Sequence, residues 1–488
     1  MRNRPRNLLE LWLAGVFVAG ALLVPGGAAG QATFSLGGIQ VNESDQAAWS
    51  RTMAQAGFNT LQVTVYARQP AWDAPELLTR PVDEGTLKKI RAARAAGLEV
   101  ALILRVEMDH AYPENRFLWH GLILPDGPAA LDAWFDRYTG FVAAWAEAAE
   151  AEGVTLIGIA SEMNALASTV PVSALPTLEA YYLDAAKQSN KRDKLVSRAD
   201  EVPPERVRAP GDASPIENLR AFETDRDAAL AAWASAVTYD GQGLTLDQRI
   251  ERINQRRAHQ LERWRELIRE VRAVYSGRLT CAANFDNYLD IAFWPELDVM
   301  GINAYFPLRN PEEPATDDVL AEGWRGVWDE IAHHQEQLGV AGVPVVFTEL
   351  GYTRRAGCTT APWAWQGFDL VGDNETLMVW EELAFDPGER VRAMAALDRV
   401  NRERGGPLAG LLYWKLTATE HHAEIEPFAL WIGDGAEHDP LLPALLEFLE
   451  PVAEPPPKPP TRPHRPADEA TDRLRPVAHA PREAPGHR

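Results

Sequence analysis

Two stretches of this chain place a glutamate directly after a small hydroxyl residue, at the end of an apolar run. One reads Leu156-Ile157-Gly158-Ile159-Ala160-Ser161-Glu162. The other reads Pro344-Val345-Val346-Phe347-Thr348-Glu349-Leu350-Gly351-Tyr352. Continuous apolar runs of this kind suit parallel strands buried on both faces. A carboxylate on the last residue then stands at the C-terminal end of its strand, where α/β barrels carry their chemistry. Two such carboxyl groups, one protonated and one ionised, can break a glycosidic bond: the acid protonates the leaving oxygen and the carboxylate attacks C1. A separation of about 5 Å gives retention of configuration, and a wider gap gives inversion. The plainer alternative is that each glutamate merely pairs with an arginine of the barrel.

Other chemistry-bearing residues give weaker signals. Trp363 and Trp365 follow the second run and Trp431 lies further on; each is a candidate sugar platform or a packing residue. Glu107 and Asp109 either bind hydroxyls or, the better reading, pair with Arg105 or another base. Glu420, His421, His422 and Glu424 are of metal-ligating types, but their spacing fits no established ligand set, so neither a metal nor a cofactor is expected. The two cysteines, Cys281 and Cys358, are read as a core thiol and a free loop thiol rather than a disulfide. No Walker loop, HExxH or GxSxG is present, and Gly241-Gln242-Gly243 lacks the third glycine and the strand of a dinucleotide site.

The elements that must position the two glutamates are legible as an alternation. Strands are expected near 34–39, 60–66, 100–106, 155–160, 279–283, 299–303, 343–348 and 410–414. Helical patterns over 46–56, 84–96, 130–151 and 323–338 fall between them. Eight βα units predict an α/β fold, a (β/α)8 TIM barrel, with the glutamates on strands four and seven across its mouth. About 100 residues separate Glu162 from Trp264, where a βα loop usually needs about 2–6. Residues 163–245 are therefore read as a helical insertion after strand four. It holds a helix over 178–188 capped by Thr177, a polar loop over 189–214 and a helix over 215–237. Thr245-Leu246-Asp247-Gln248 fits a capping box that opens a long helix, with Gly277 as its stop. The insertion is a lid, a groove wall, an oligomer contact or a packing appendage.

Both ends lie outside this pattern. Residues 1–32 read as a secretory leader: Arg2, Arg4 and Arg6 precede a 14-residue apolar stretch, and Ala28-Ala29-Gly30 offers a cleavage site. An uncleaved anchor is the alternative, although spanning needs about 20 apolar residues. Residues 451–488 hold 11 of the 36 prolines and no apolar periodicity, and read as an extended, disordered tail. The chain has 488 residues and a net charge of −22; each end carries +2, so the body 33–450 holds −26. That balance argues against a nucleic-acid surface, which needs clustered Lys and Arg. Sixteen tryptophans offer flat apolar faces of the kind that stack on sugar rings.

These residues resemble glycoside hydrolase family 113, a β-mannanase family among the clan A barrels. The resemblance is carried by Trp264-Arg265-Glu266-Leu267-Ile268, Val271-Arg272-Ala273-Val274-Tyr275-Ser276-Gly277, Ala282-Ala283-Asn284-Phe285 and Phe293-Trp294-Pro295-Glu296-Leu297-Asp298. It continues through Gly301-Ile302-Asn303-Ala304-Tyr305-Phe306-Pro307-Leu308 and Phe347-Thr348-Glu349-Leu350-Gly351-Tyr352. Trp119-His120-Gly121, with Asp132, Trp134 and Tyr138, is similar to an earlier part of the family. The resemblance covers most of 34–435 and is strongest in the second half.

It implies an endo-acting, retaining hydrolase of β-1,4-linked, mannan-like chains. Glu162 matches the acid/base and Glu349 the nucleophile. Tyr305 matches the tyrosine that hydrogen-bonds the nucleophile, and Trp414 the aromatic floor under the sugar. Asn284, Asn303, Trp119 and Trp363 are further candidate substrate contacts. Ser161 stands where many clan A enzymes have Asn, as the family itself does with a small hydroxyl residue. The segment Arg105-Val106-Glu107-Met108-Asp109-His110 and the long insertion depart from the family pattern. A poly- or oligosaccharide partner, a monomer, and a secreted, periplasmic or envelope location are the expectations. The alternatives are a barrel that binds carbohydrate with weak or no turnover, and an envelope structural protein.

Overall fold

A computed structural model describes residues 34–40, 43–200, 207–208, 215–364, 369–370, 378–379, 384–435 and 439–450. The stretches 1–32 and 451–488, expected as a leader and a tail, and Trp365 fall outside the described residues.

Eight parallel strands close into a barrel. They are β1 (Ser35–Gln40), β2 (Thr60–Gln69), β3 (Glu99–Met108), β4 (Leu156–Ser161), β5 (Arg278–Asn284), β6 (Met300–Asn303), β7 (Val345–Leu350) and β8 (Leu408–Thr417). Each pairs in parallel with its neighbour, and β8 returns to β1 with Ser35 opposite Gly410. The fold is thus the α/β TIM barrel expected from the alternation. Central strands such as β4 and β7 are buried along their whole length, which is why they carry unbroken apolar runs.

Helices α1 (Gln46–Gln55), α2 (Glu84–Ala95) and α3 (Pro128–Glu152) follow the first three strands. Trp134, Tyr138 and Trp145 of α3 are fully buried, and Trp264 packs edge-on against Phe135 with centroids 5.3 Å apart. This aromatic seam fixes the long helix before β5 to the barrel.

After β4 come the insertion helices α4 (Thr177–Leu183), α5 (Ala185–Asp200) and α6 (Pro215–Val237), then the long α7 (Leu246–Val274). Three boundaries differ from expectation. Thr177 is the first residue of α4 and does not cap it. The helix breaks at Asp184, whose carboxylate accepts from Lys187 N at 3.1 Å and so starts α5. Much of the stretch expected as loop is therefore helical. Its polar sequence hides a buried stripe: Val196 is buried, and Arg192 pairs with Asp227 of α6 at 2.7 Å. The capping box at Thr245 forms as expected, but α7 stops at Tyr275 rather than at Gly277. The Tyr275 hydroxyl donates to Val154 O at 2.9 Å and pulls the chain out of the helix.

The other departure lies between β5 and β6, which are joined by two 3-10 turns and no α-helix. Phe293 and Trp294 are buried there, Trp294 is followed by Pro295, and Phe293 stacks on Trp264 at 5.2 Å. Aromatic packing thus covers the strand faces that a helix would otherwise cover. Helices α8 (Asp317–Gln337) and α9 (Pro387–Glu403) complete the outer ring around β7 and β8.

A second, three-stranded sheet joins Val207–Arg208 of the insertion with Met378–Val379 and Asp369–Leu370. Among the described residues no helix is long and apolar enough to cross a membrane. Both cysteines are free and both are buried.

Candidate active site

The C-terminal ends of β3, β4, β6 and β7 converge on one polar cluster inside an otherwise apolar barrel. Glu162 directly follows β4 and has a left-handed backbone, φ 50°. A non-glycine residue in that region stores on the order of 1–3 kcal/mol of strain, which tends to persist where function requires it. Its backbone N–H donates to Ala282 O at 2.9 Å, which ties the turn to β5. The turn aims the Glu162 carboxylate at Arg105, His120 and Asn303. Arg105 Nη2 is 2.5 Å from Oε2, His120 Nε2 is 3.0 Å from the same oxygen, and Asn303 Nδ2 donates to Oε1 at 3.1 Å.

Glu349 stands across the mouth on β7, 5 % exposed. The Tyr305 hydroxyl donates to its Oε2 at 3.3 Å, and Arg105 Nη1 lies 3.3 Å from its Oε1. One guanidinium therefore touches both carboxylates. Its two terminal nitrogens are roughly 2.3 Å apart, because each C–N bond is about 1.33 Å. The two carboxylates therefore lie within about 8 Å of one another, close enough to reach a single bound sugar.

Burial alone would raise the Glu162 carboxyl. The Arg105 charge, followed by the His120 and Asn303 hydrogen bonds, outweighs it and holds this group well below the usual carboxylate range. Burial likewise opposes the charge of Arg105, but Glu162 and Glu349 hold its proton more tightly than usual. The resting site is a cation clamped between two acids.

The remaining sequence candidates are distributed around this clamp. Asn303 is fully buried, accepts from the Thr348 hydroxyl at 2.8 Å and reaches Glu162, so it faces the acid rather than the open cleft. Asn284 is also buried, its Oδ1 accepting from Phe285 N at 3.0 Å. Trp414 is half-buried beside β7: a Cβ on Gly351 would meet the Trp414 carbonyl oxygen at 2.1 Å, so only glycine allows this approach. The Lys415 ammonium lies 4.7 Å from the Trp414 ring centre and pairs with Glu426 at 2.9 Å.

Trp119 is half-buried and edge-on to His120 with centroids 5.0 Å apart, a fold-over permitted by Gly121 beneath its ring. Trp363 stacks on Phe285 at 5.2 Å and 10°. Trp431 donates to Ala418 O at 3.3 Å, a packing role on the rim. Glu107 and Asp109 do not meet Arg105; their partner is Arg68, at 2.9 and 3.8 Å. Among the described residues no group of three or more His, Cys, Asp or Glu is arranged to hold a metal ion.

Three site residues had no assigned role in the sequence reading. Arg105 and His120 are two of them. The signal for Arg105 is its position: it is the one charged residue within the apolar stretch 100–106. The third is Tyr66 on β2. Its ring is 43 % exposed, yet desolvation pushes its hydroxyl above the ordinary tyrosine range, with Arg105 opposing and Glu349 adding. The strand register sets Tyr66 opposite Arg105 of β3, so Tyr66 stands beside the clamp.

Fold and site together define a (β/α)8 barrel with paired acids at the C-terminal ends of its strands. Residues 250–386 match the model for Glycoside Hydrolase Family 113. Solved structures agree on the fold. The family 113 β-mannanase of Alicyclobacillus acidocaldarius, in complex with ManMIm, is 16 % identical, with a TM-score of 0.51, covering 86 % of this chain and 97 % of that one. A family 113 β-1,4-mannanase complex is likewise 16 % identical, with a TM-score of 0.52, covering 86 % of this chain and 99 % of that one. No curated protein matches the sequence.

Proposed function

We propose that the chain is a retaining glycoside hydrolase acting on β-linked, β-1,4-mannan-like saccharides, with Glu349 as nucleophile and Glu162 as acid/base. The observation that carries this reading is the convergence of two carboxylates, the half-buried Glu162 after β4 and the buried Glu349 on β7, on one guanidinium. Glu349, ionised and held by Tyr305, would attack C1. Glu162 would protonate the departing oxygen and then activate water. The half-buried Trp414 supplies an apolar face for a sugar ring, and Tyr66 a phenol beside the clamp. The likeness to family 113 β-mannanases supports mannose-type chains. Export is proposed on the leader 1–32.

A second reading rests on Arg105. A Glu162 held ionised lacks the proton that an acid must deliver, which favours a barrel that binds glycans and turns them over slowly. On the first reading the arriving glycan must displace Arg105 from Glu162, whose carboxylate then takes a proton from solvent and delivers it to the leaving oxygen. Substitution of Glu162 separates the two. For Glu162→Ala, the loss in kcat/KM on the natural chain is expected to exceed that on an aryl glycoside with a good leaving group by about 10²-fold or more, because such a group departs without an acid. Equal losses on both substrates, read by reducing-end release and by released phenol, contradict the assigned role.

A further inference from the structure

We propose that Asp286 binds a hydroxyl of the leaving sugar, and that the first insertion helix, α4, walls that subsite. This rests on the glycosidase reading of Glu162 and Glu349.

The stereochemistry sets the direction. A carboxylate attacking C1 expels the leaving oxygen from the opposite face, away from Glu349 and toward Glu162. The leaving sugar must therefore meet whatever surrounds Glu162 on its far side. That surface is made by the loops after β4 and β5 and by the insertion that lies between these two strands.

Asp286 lies there. It is two residues beyond Asn284, the last residue of β5, and Asn164, two residues beyond Glu162, donates to its Oδ1 at 3.0 Å. Its side chain is exposed to solvent, yet desolvation pushes its carboxyl up to about 6, against the Asn164 hydrogen bond and with the Glu162 charge adding. A solvent-exposed carboxylate fixed by one amide is a strong acceptor for a sugar hydroxyl.

The insertion packs beside the Asp286 loop. Buried Tyr182 of α4 lies within electrostatic reach of Asp286, Glu179 and Arg226. The chain leading to α4 is sewn to the Asp286 loop: Thr169 N and Val170 N both donate to Asp290 O, at 2.8 and 2.9 Å. Arg257 of α7 holds Val170 O at 2.6 Å. At its other end the insertion rests on the loop after β3. Trp233 of α6 donates to Leu122 O at 2.9 Å, and Phe222 meets Phe117 edge-on at 5.1 Å. The insertion thus straddles the end of β4, beside Glu162, and is anchored on both sides.

The test compares two substrates in the full chain: β-1,4-mannotetraose, which expels a sugar, and an aryl β-mannobioside, which expels a phenol without sugar hydroxyls. In Asp286→Ala the ratio of kcat/KM for the tetraose to that for the aryl glycoside is expected to fall about 10-fold or more, a typical loss for one charge-assisted hydrogen bond. Asp286→Asn, which keeps the shape of the loop, is expected to lower the ratio in the same direction, with folding followed by thermal melting. Hydrolysis of both substrates by the wild type with an unaltered ratio in both variants overturns this inference alone. Hydrolysis of neither substrate by the wild type overturns the glycosidase reading beneath it.

Discussion

Replacing Glu349 with Gln is expected to lower kcat/KM on any accepted glycan by about 10⁴-fold or more, equivalent to about 5.4 kcal/mol of transition-state stabilisation. The amide keeps the shape of the carboxylate and still accepts from Tyr305, now 3.3 Å from Oε2. It cannot form the glycosyl ester through which a double displacement passes. The barrel should tolerate the change, because Arg105 keeps Glu162 as a partner at 2.5 Å. Initial rates of reducing-end release, with thermal melting to establish folding, check this. A loss smaller than tenfold in a folded variant would remove Glu349 from the chemistry.

Replacing Arg105 with Met is expected to cost about 3–5 kcal/mol of unfolding free energy at pH 7, because it leaves two carboxylates facing one another in a largely dry mouth. The sign with pH follows from Glu162. With Arg105 present its folded-state pKa lies below the unfolded value, so the ionised group adds stability that is present above about 4.3 and fades as pH falls. Without Arg105, burial and the neighbouring Glu349 raise the folded value, so ionisation becomes a penalty above about 4.3 that disappears in acid. Denaturant unfolding should therefore show a wide gap between wild type and variant at pH 7 and a narrower one at pH 4. An equal gap at both values, or a more stable variant at pH 7, contradicts the clamp.

The clamp also marks the limit of what one dimension can convey. The strands were legible because both of their faces are buried, and β4 and β7 announce themselves as unbroken apolar runs ending in glutamate. Placing both glutamates at the barrel mouth needed only the rule that strand ends carry chemistry. Their shared partner was not legible. A lone arginine in β3 has the same sequence signature whether it points at Glu107 or at an acid across the barrel. Only closure of the barrel brings Arg105 to residues 57 and 244 positions away. The missing helix between β5 and β6 was equally hidden, because buried aromatics such as Phe293 and Trp294 can cover a strand without forming a helix. In α5 a polar sequence concealed a helix whose stability comes from Arg192, Asp227 and a single buried valine. Asn303 looked like a sugar ligand by its position at a strand end, yet the register that sets it opposite Glu349 turns its amide to Glu162. Such residues hold the acids in place, and their role shows only in the closed barrel.

The most direct test of the central claim is the anomeric configuration of the first product from a β-1,4-manno-oligosaccharide, followed by proton NMR before mutarotation. Two carboxylates sharing one guanidinium, with Glu349 as nucleophile, predict a β-anomer at the newly formed reducing end. An α-anomer appearing first would contradict the double displacement and reassign Glu349 as a base that activates water.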